Sequence, residues 1–130
     1  MLLRIDPAAP EPIFEQIVRR VKEAVAAGEI AAGDRLPSVR ELARELAINP
    51  NTVARAYEAL ERESVIVRRQ GAGCFVTDRA SPLSTVERRK RLRELARHAV
   101  TEAFHLGFDA DAVEAAVRSE LERVRFPERA

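Results

Sequence analysis

Tryptophan is absent from this 130-residue chain, and tyrosine, methionine and cysteine occur once each. A single cysteine, Cys74, excludes an internal disulfide and a cysteine-based zinc site, and it agrees with a reducing compartment. No apolar run approaches the roughly 18 to 20 residues that a membrane span needs. The opening "MLLRIDPAAP" reaches a charge and a proline too soon for a signal peptide. The expected location is therefore the cytoplasm, without a membrane partner. An excess of one charge is missing as well: 22 lysines and arginines face 21 aspartates and glutamates, for a net charge of +1. Residues 1–80 and 81–130 are each close to balance, so a role with nucleic acid has to rest on where individual charges sit. Catalytic motifs are lacking too, with no phosphate-cradling loop, no HExxH and no nucleophile beside an evident base. Neither an enzyme nor a cofactor is expected.

What is present describes an ordered, helix-rich protein: 46% hydrophobic and 33% charged residues with only 5 glycines. After "IDPAAPEP", which reads as an extended arm, Ile13, Phe14, Ile17, Val18, Val21 and Val25 recur with the spacing of one helical face, and Gly28 closes that helix. "AAGDRLPS" is a turn. Ser38 and Glu41 form a capping box that starts a second helix, whose core face is Val39, Leu42, Ala43 and Leu46. Ala47 and Ile48 make a tight connection to a third helix. There Asn49 supplies the N-cap oxygen, and Pro50 takes the first position, where its missing N–H costs nothing. A stripe of Val53, Ala56, Tyr57 and Leu60 is buried, which leaves Asn51, Arg55, Glu58 and Arg62 on the opposite face.

From Val65 the pattern changes to β-branched and aromatic runs, "VIVRR" and "CFVT", separated by "QGAG", whose glycines suit a tight hairpin. "DRASPL" reads as a linker. Ser84 and Glu87 then repeat the capping-box signature and open a longer helix with Leu92, Leu95, Ala99, Ala103 and Leu106 on one stripe, stopped by Gly107. Asp109 or Asp111 caps a last helix with Val113, Val117, Leu121 and Val124, which ends before Pro127.

The expected fold is mostly α with a small β-hairpin: a winged helix-turn-helix domain over residues 1–79, then a two-helix dimerisation region over 80–130. In a winged helix-turn-helix the third helix enters the DNA major groove with its N-terminal residues towards base edges. A helix N-terminus also carries free N–H groups and the positive end of the macrodipole, which suits a phosphate. Asn51 and Thr52 are then positioning or base-edge contacts, and Arg55 can fork onto guanine O6 and N7. Ser38 and Arg40 in the first turn of the second helix, Asn49, and Arg68, Arg69, Gln70 and Gly71 in the wing complete the candidate DNA-binding set. Capping alone explains Asn49 and Pro50, and an isolated surface arginine usually serves solubility.

"LPSVRELA", "NPNTVARAY" and "GAGCFV" stand in the order and spacing of the GntR family of bacterial transcription regulators, whose DNA-binding domain residues 12–77 resemble. The resemblance implies operator binding by a dimer, with Arg40 and the Asn49–Arg55 segment at the major groove and Gln70 and Gly71 at the wing tip. Two positions depart from the family pattern. Ser64 stands where glycine is usual before the wing, and Cys74 where threonine is common. The short tail resembles the YtrA-type subfamily, in which a helical pair serves chiefly for dimerisation. Two helices with one apolar stripe each cannot bury both stripes fully against each other, so a second copy of the chain is the natural partner. Leu92, Leu95, Ala99, Ala103, Leu106, Val113, Val117 and Leu121 are the expected dimer contacts. The tail is too small to enclose a typical ligand pocket within one chain, so a small-molecule effector would have to bind at the dimer interface.

Three further readings are open. The basic run "RRKRLREL" at 88–95 could touch DNA flanks, although a charged helix face is usually just solvated. His98 and His105 sit seven apart on one helical face, and a metal-sensing or enzymatic protein could use them, but no metal site is expected there. A winged helix can also dock a partner protein without sequence-specific DNA binding.

Overall fold

The computed structural model of the chain describes residues 3–78 and 81–126. Five helices and one hairpin follow in order: α1 (Ile13–Ala26), α2 (Val39–Leu46), α3 (Pro50–Arg62), β1 (Ile66–Arg69), β2 (Gly73–Val76), α4 (Thr85–His105) and α5 (Ala110–Arg123). They fall into two compact units, Met1–Ser81 and Pro82–Ala130. Arg79 and Ala80 of the expected linker, and Pro127, lie outside the described residues.

Local chemistry sets where the helices begin. Ser38 Oγ accepts from the Glu41 N–H at 3.1 Å while Glu41 Oε1 accepts from the Ser38 N–H, which completes the capping box of α2. Asn49 Oδ1 accepts from the Asn51 N–H at 2.8 Å and Pro50 is the first residue of α3. Ser84 caps α4 and Asp109, rather than Asp111, caps α5. At their C-terminal ends four helices close with the paired backbone bonds of a Schellman motif, which demands a left-handed residue. Gly28 (φ 76°) and Gly107 (φ 89°) supply it after α1 and α4. After α2 and α3 the left-handed residue is not glycine but Ala47 (φ 56°) and Ser64 (φ 61°). Ser64 thus departs from the usual glycine at a position where the backbone does require a left-handed turn.

The core of the first unit gathers Ile17 and Val21 of α1, Leu42 and Ala43 of α2, and Val53, Ala56, Tyr57 and Leu60 of α3 under Leu36, Ile66 and Val76. All four residues expected on the buried stripe of α3 are buried. Tyr57 carries a polar atom into this core, and its hydroxyl donates to the Pro37 carbonyl at 2.6 Å, tying α3 to the residue before the α2 cap. Burial holds its phenol well above the ordinary value.

Residues 5–12, expected as an extended arm, instead fold back on α1. Leu3 joins the core, and the buried Gln16 bonds the Asp6 N–H and the carbonyls of Asp6 and Glu11 through its side chain. One buried amide satisfying three backbone groups outweighs the reach of the prolines.

β1 and β2 pair antiparallel, from Ile66 opposite Val76 to Arg69 opposite Gly73. On its other edge β2 receives residues 33–36: Gly33 N donates to Val76 O, Val76 N to Asp34 O and Leu36 N to Cys74 O, all at 2.8–2.9 Å. The turn before α2 is therefore part of the wing.

In the second unit no residue of α4 or α5 is buried. An apolar recess of about 320 Å³ lies between the two helices, lined by Ala99, Ala103, Leu106, Phe108, Ala112, Val113, Ala116 and Val117.

Candidate nucleic-acid interface

The tip of α3 carries short polar side chains, which leave its backbone open to close approach. Asn49 and Asn51 are exposed and Thr52 is half-buried. Asn49 spends its oxygen on the cap. The Asn51 and Thr52 side chains make no hydrogen bond to another described residue. One turn further, the exposed Arg55 places its guanidinium over the Phe14 ring of α1, with its central carbon 3.8 Å from the ring centroid. Such a stack restricts the side chain yet leaves its in-plane N–H fork free for a bidentate partner.

At the start of α2, Ser38 is half-buried and committed to its cap, whereas Arg40 is exposed with no ion pair among the described residues. The wing turn is a three-residue loop, Gln70, Gly71 and Ala72. The Ala72 N–H donates to Arg69 O at 3.0 Å, and Gly71 takes φ 77°. Gln70 and Gly71 are exposed. The pleat separates two candidates that the sequence places side by side. Arg69 shares a face with Phe75, over whose ring it lies at 5.0 Å, while Arg68 lies on the face of Cys74. They cannot serve one groove in the same way.

A residue outside the candidate set links these pieces. Arg35 donates from Nε to the Ala72 carbonyl at 3.2 Å, and its Nη2 is 4.0 Å from Glu41 in the α2 capping box. Neither spacing nor periodicity marks it, since its partners lie 37 and 6 residues away. Phe14 was legible as an α1 stripe residue, but its contact with Arg55 was not.

The eight expected dimer contacts share the second unit with the large apolar side chains that face solvent. Leu92 (65% exposed), Leu95 (68%), Leu106 (74%), Val117 (49%) and Leu121 (51%) are among them. Ala99 is exposed, whereas Ala103 and Val113 are half-buried. Val100, Phe104 and Phe108 widen this surface beyond the single stripe seen in the sequence. His98 and His105 are exposed. Among the described residues no group of three or more His, Cys, Asp or Glu side chains is placed to hold a metal. No described helix is long and apolar enough to cross a membrane.

Comparison with known proteins adds to this geometry. The family described as bacterial regulatory proteins, gntR family, matches residues 13–76. The HTH-type transcriptional repressor YtrA of Bacillus subtilis is 36% identical over 110 residues, which is 85% of this chain and 85% of that protein. Among solved structures, YtrA from Sulfolobus acidocaldarius, a GntR-family transcription factor, is 35% identical with a TM-score of 0.64, covering 78% of this chain and 99% of that one. A structure described as a transcriptional antiterminator from Listeria monocytogenes is 27% identical with a TM-score of 0.82, covering 100% of this chain and 98% of that one.

Proposed function

The chain belongs to the GntR family of bacterial regulatory proteins, and from that premise we propose that it is a cytoplasmic, homodimeric repressor of transcription that reads a palindromic operator. The observation that carries this reading is the tip of α3. Its cap is in place, the side chains of Asn51 and Thr52 have no hydrogen-bond partner among the described residues, and Arg55 is held on Phe14 with no hydrogen bond or ion pair among those residues. In the major groove, Arg55 takes a guanine edge and Asn51 and Thr52 take phosphate or base edges. Arg40 joins them at the major groove, the Gln70–Gly71 wing tip engages the minor groove, and Ser38, Asn49, Arg68 and Arg69 support them.

The second unit supplies the twofold axis. Large apolar side chains stand exposed along it, among them Leu92, Leu95, Phe104 and Leu106, and the same patch on a second copy covers them. α4, about 31 Å long at 1.5 Å per residue, is long enough to pair along its length. A dimer places two recognition helices one or two DNA turns apart, about 34 Å per turn. The recess between α4 and α5 is where a small-molecule effector would enter, closed by the partner's helices.

Selection of fragments bound by the full-length chain from random duplex DNA tests the proposal, followed by affinity measurements on the winning sequence against scrambled duplex over a salt series. A palindromic winner is expected, with preference over scrambled DNA of at least about 10³-fold and steep weakening as salt rises. Equal affinity for all duplexes, or binding indifferent to salt, would instead leave the winged helix as a protein-docking module.

A further inference from the structure

We propose that Arg35 is a positioning residue that locks the wing tip to the first turn of α2, so that the two are presented to DNA as one rigid surface. The DNA side of this inference rests on the function proposed above, while the locking itself does not. Three observations converge. The Arg35 backbone is bridged to Phe75 of β2, and its neighbours Asp34 and Leu36 bond Val76 and Cys74, so the residue is carried on the wing sheet itself. Its Nε donates to the carbonyl of Ala72, the last residue of the wing turn, at 3.2 Å. The other end of the guanidinium reaches within 4.0 Å of Glu41 Oε1, which also accepts from the Ser38 N–H.

One planar, charged fork thus spans from the turn that carries Gln70 and Gly71 to the cap that sets the direction of Ser38 and Arg40. A three-residue turn projecting from a two-stranded ribbon has few contacts of its own to hold it still. The side chain also occupies space that constrains the turn. A Cβ added to Gly73 would sit 3.0 Å from Arg35 Nε, so the glycine there makes room for the guanidinium in addition to taking φ 113°. Arg35 is about half exposed. Its replacement therefore removes a tether without opening the core.

Backbone ¹⁵N relaxation on the full-length chain reads the tether directly. Wild type, Arg35→Ala and Arg35→Lys are compared, with thermal midpoints recorded alongside. In wild type the amides of Gln70 to Gly73 are expected near the rigid-backbone order parameter of about 0.85, and in Arg35→Ala below about 0.6. Ile66 and Val67 stay rigid and the midpoint moves little. Arg35→Lys, which can reach Ala72 or Glu41 but not both, recovers part of the order. On the selected operator, Arg35→Ala weakens binding about tenfold, comparable to losing one base or backbone contact. Gln70→Ala weakens wild type but adds little in the Arg35→Ala background, because the wing is already unplaced. Unchanged order at Gln70 to Gly73 in Arg35→Ala overturns the proposal. So does a Gln70→Ala effect of equal size in both backgrounds, which would make Arg35 a DNA contact in its own right. If wild type prefers no duplex, the proposed function fails, while the relaxation data still decide whether Arg35 holds the wing.

Discussion

Replacing Tyr57 with phenylalanine removes one oxygen atom, and the geometry says what that atom is worth. The side chain is 1% exposed and its hydroxyl donates to the Pro37 carbonyl at 2.6 Å. Without the donor the part-buried carbonyl loses this partner, a cost of about 0.5–1.5 kcal/mol. For a unit of this size each kcal/mol lowers the thermal midpoint by roughly 4–8 °C. The same burial predicts a pH dependence. Desolvation is the main reason the phenol is held above its ordinary value of 10.0, and electrostatic interaction with Cys74, Glu45 and Glu41 adds to it. Below that ordinary value the phenol is neutral in folded and unfolded chains alike, so the stability it confers is fully present. Above it the unfolded chain releases the proton and the folded chain does not. Stability therefore falls as pH rises past 10, by up to about 1.4 kcal/mol per pH unit until the folded value is reached. The chain has one tyrosine and no tryptophan, so tyrosinate absorbance reports Tyr57 alone. The native chain should resist titration until it unfolds, and Tyr57→Phe should melt lower at neutral pH with a weaker alkaline decline. A tyrosine that titrates at its ordinary value in the folded chain, or a variant with the wild-type melting profile at every pH, would refute this reasoning.

Arg55→Ala should cost about 1–3 kcal/mol of operator affinity and relax base preference at one position in a binding-site selection, and a loss shared by all sequences would mark a phosphate contact instead. Ser64→Gly should raise stability in urea by about 0.5–1 kcal/mol, because Ser64 holds a left-handed φ of 61° at a cost glycine does not bear. Gly71→Ala and Gly73→Ala should both destabilise, the second by more, since Gly71 has open space around it while Gly73 lies against Arg35; paired thermal melts compare them. Leu95→Glu removes a side chain that is 68% exposed in the single chain, so it should leave helicity by circular dichroism intact yet lower the assembly mass in sedimentation.

Much of the first unit was legible because its signals are local. A capping oxygen and the N–H it accepts from are two or three residues apart, as with Ser38 and Glu41 or Asn49 and Asn51, so residue type and spacing reveal the helix start. Buried stripes follow from the 3.6-residue period, which placed Val53, Ala56, Tyr57 and Leu60. The candidate site was readable in its residue types but less so in its arrangement. Adjacent in sequence, Arg68 and Arg69 part to opposite faces of the hairpin because strand periodicity is two. Ala47 and Ser64 gave no glycine to announce their left-handed turns. The arm before α1 looked extended because prolines favour that, while the amide that folds it back, Gln16, resembles any polar residue on a helix.

Composition, period and caps were enough to state how many helices form, where α2, α3 and α4 start, and that a glycine-bearing ribbon follows the third. Interactions of short range along the chain carry that information, and they act whether or not the rest has folded. How the pieces are held against one another was settled in three dimensions. Arg35 to Ala72, Tyr57 to Pro37 and Gln16 to Asp6 join atoms 37, 20 and 10 residues apart, and a pairing across such separations leaves no periodic trace in the letters. It comes into being when the folding of a shared core brings distant segments to hydrogen-bonding distance, and where the polar group is itself buried, as at Gln16, leaving it unpaired bears the cost of desolvation.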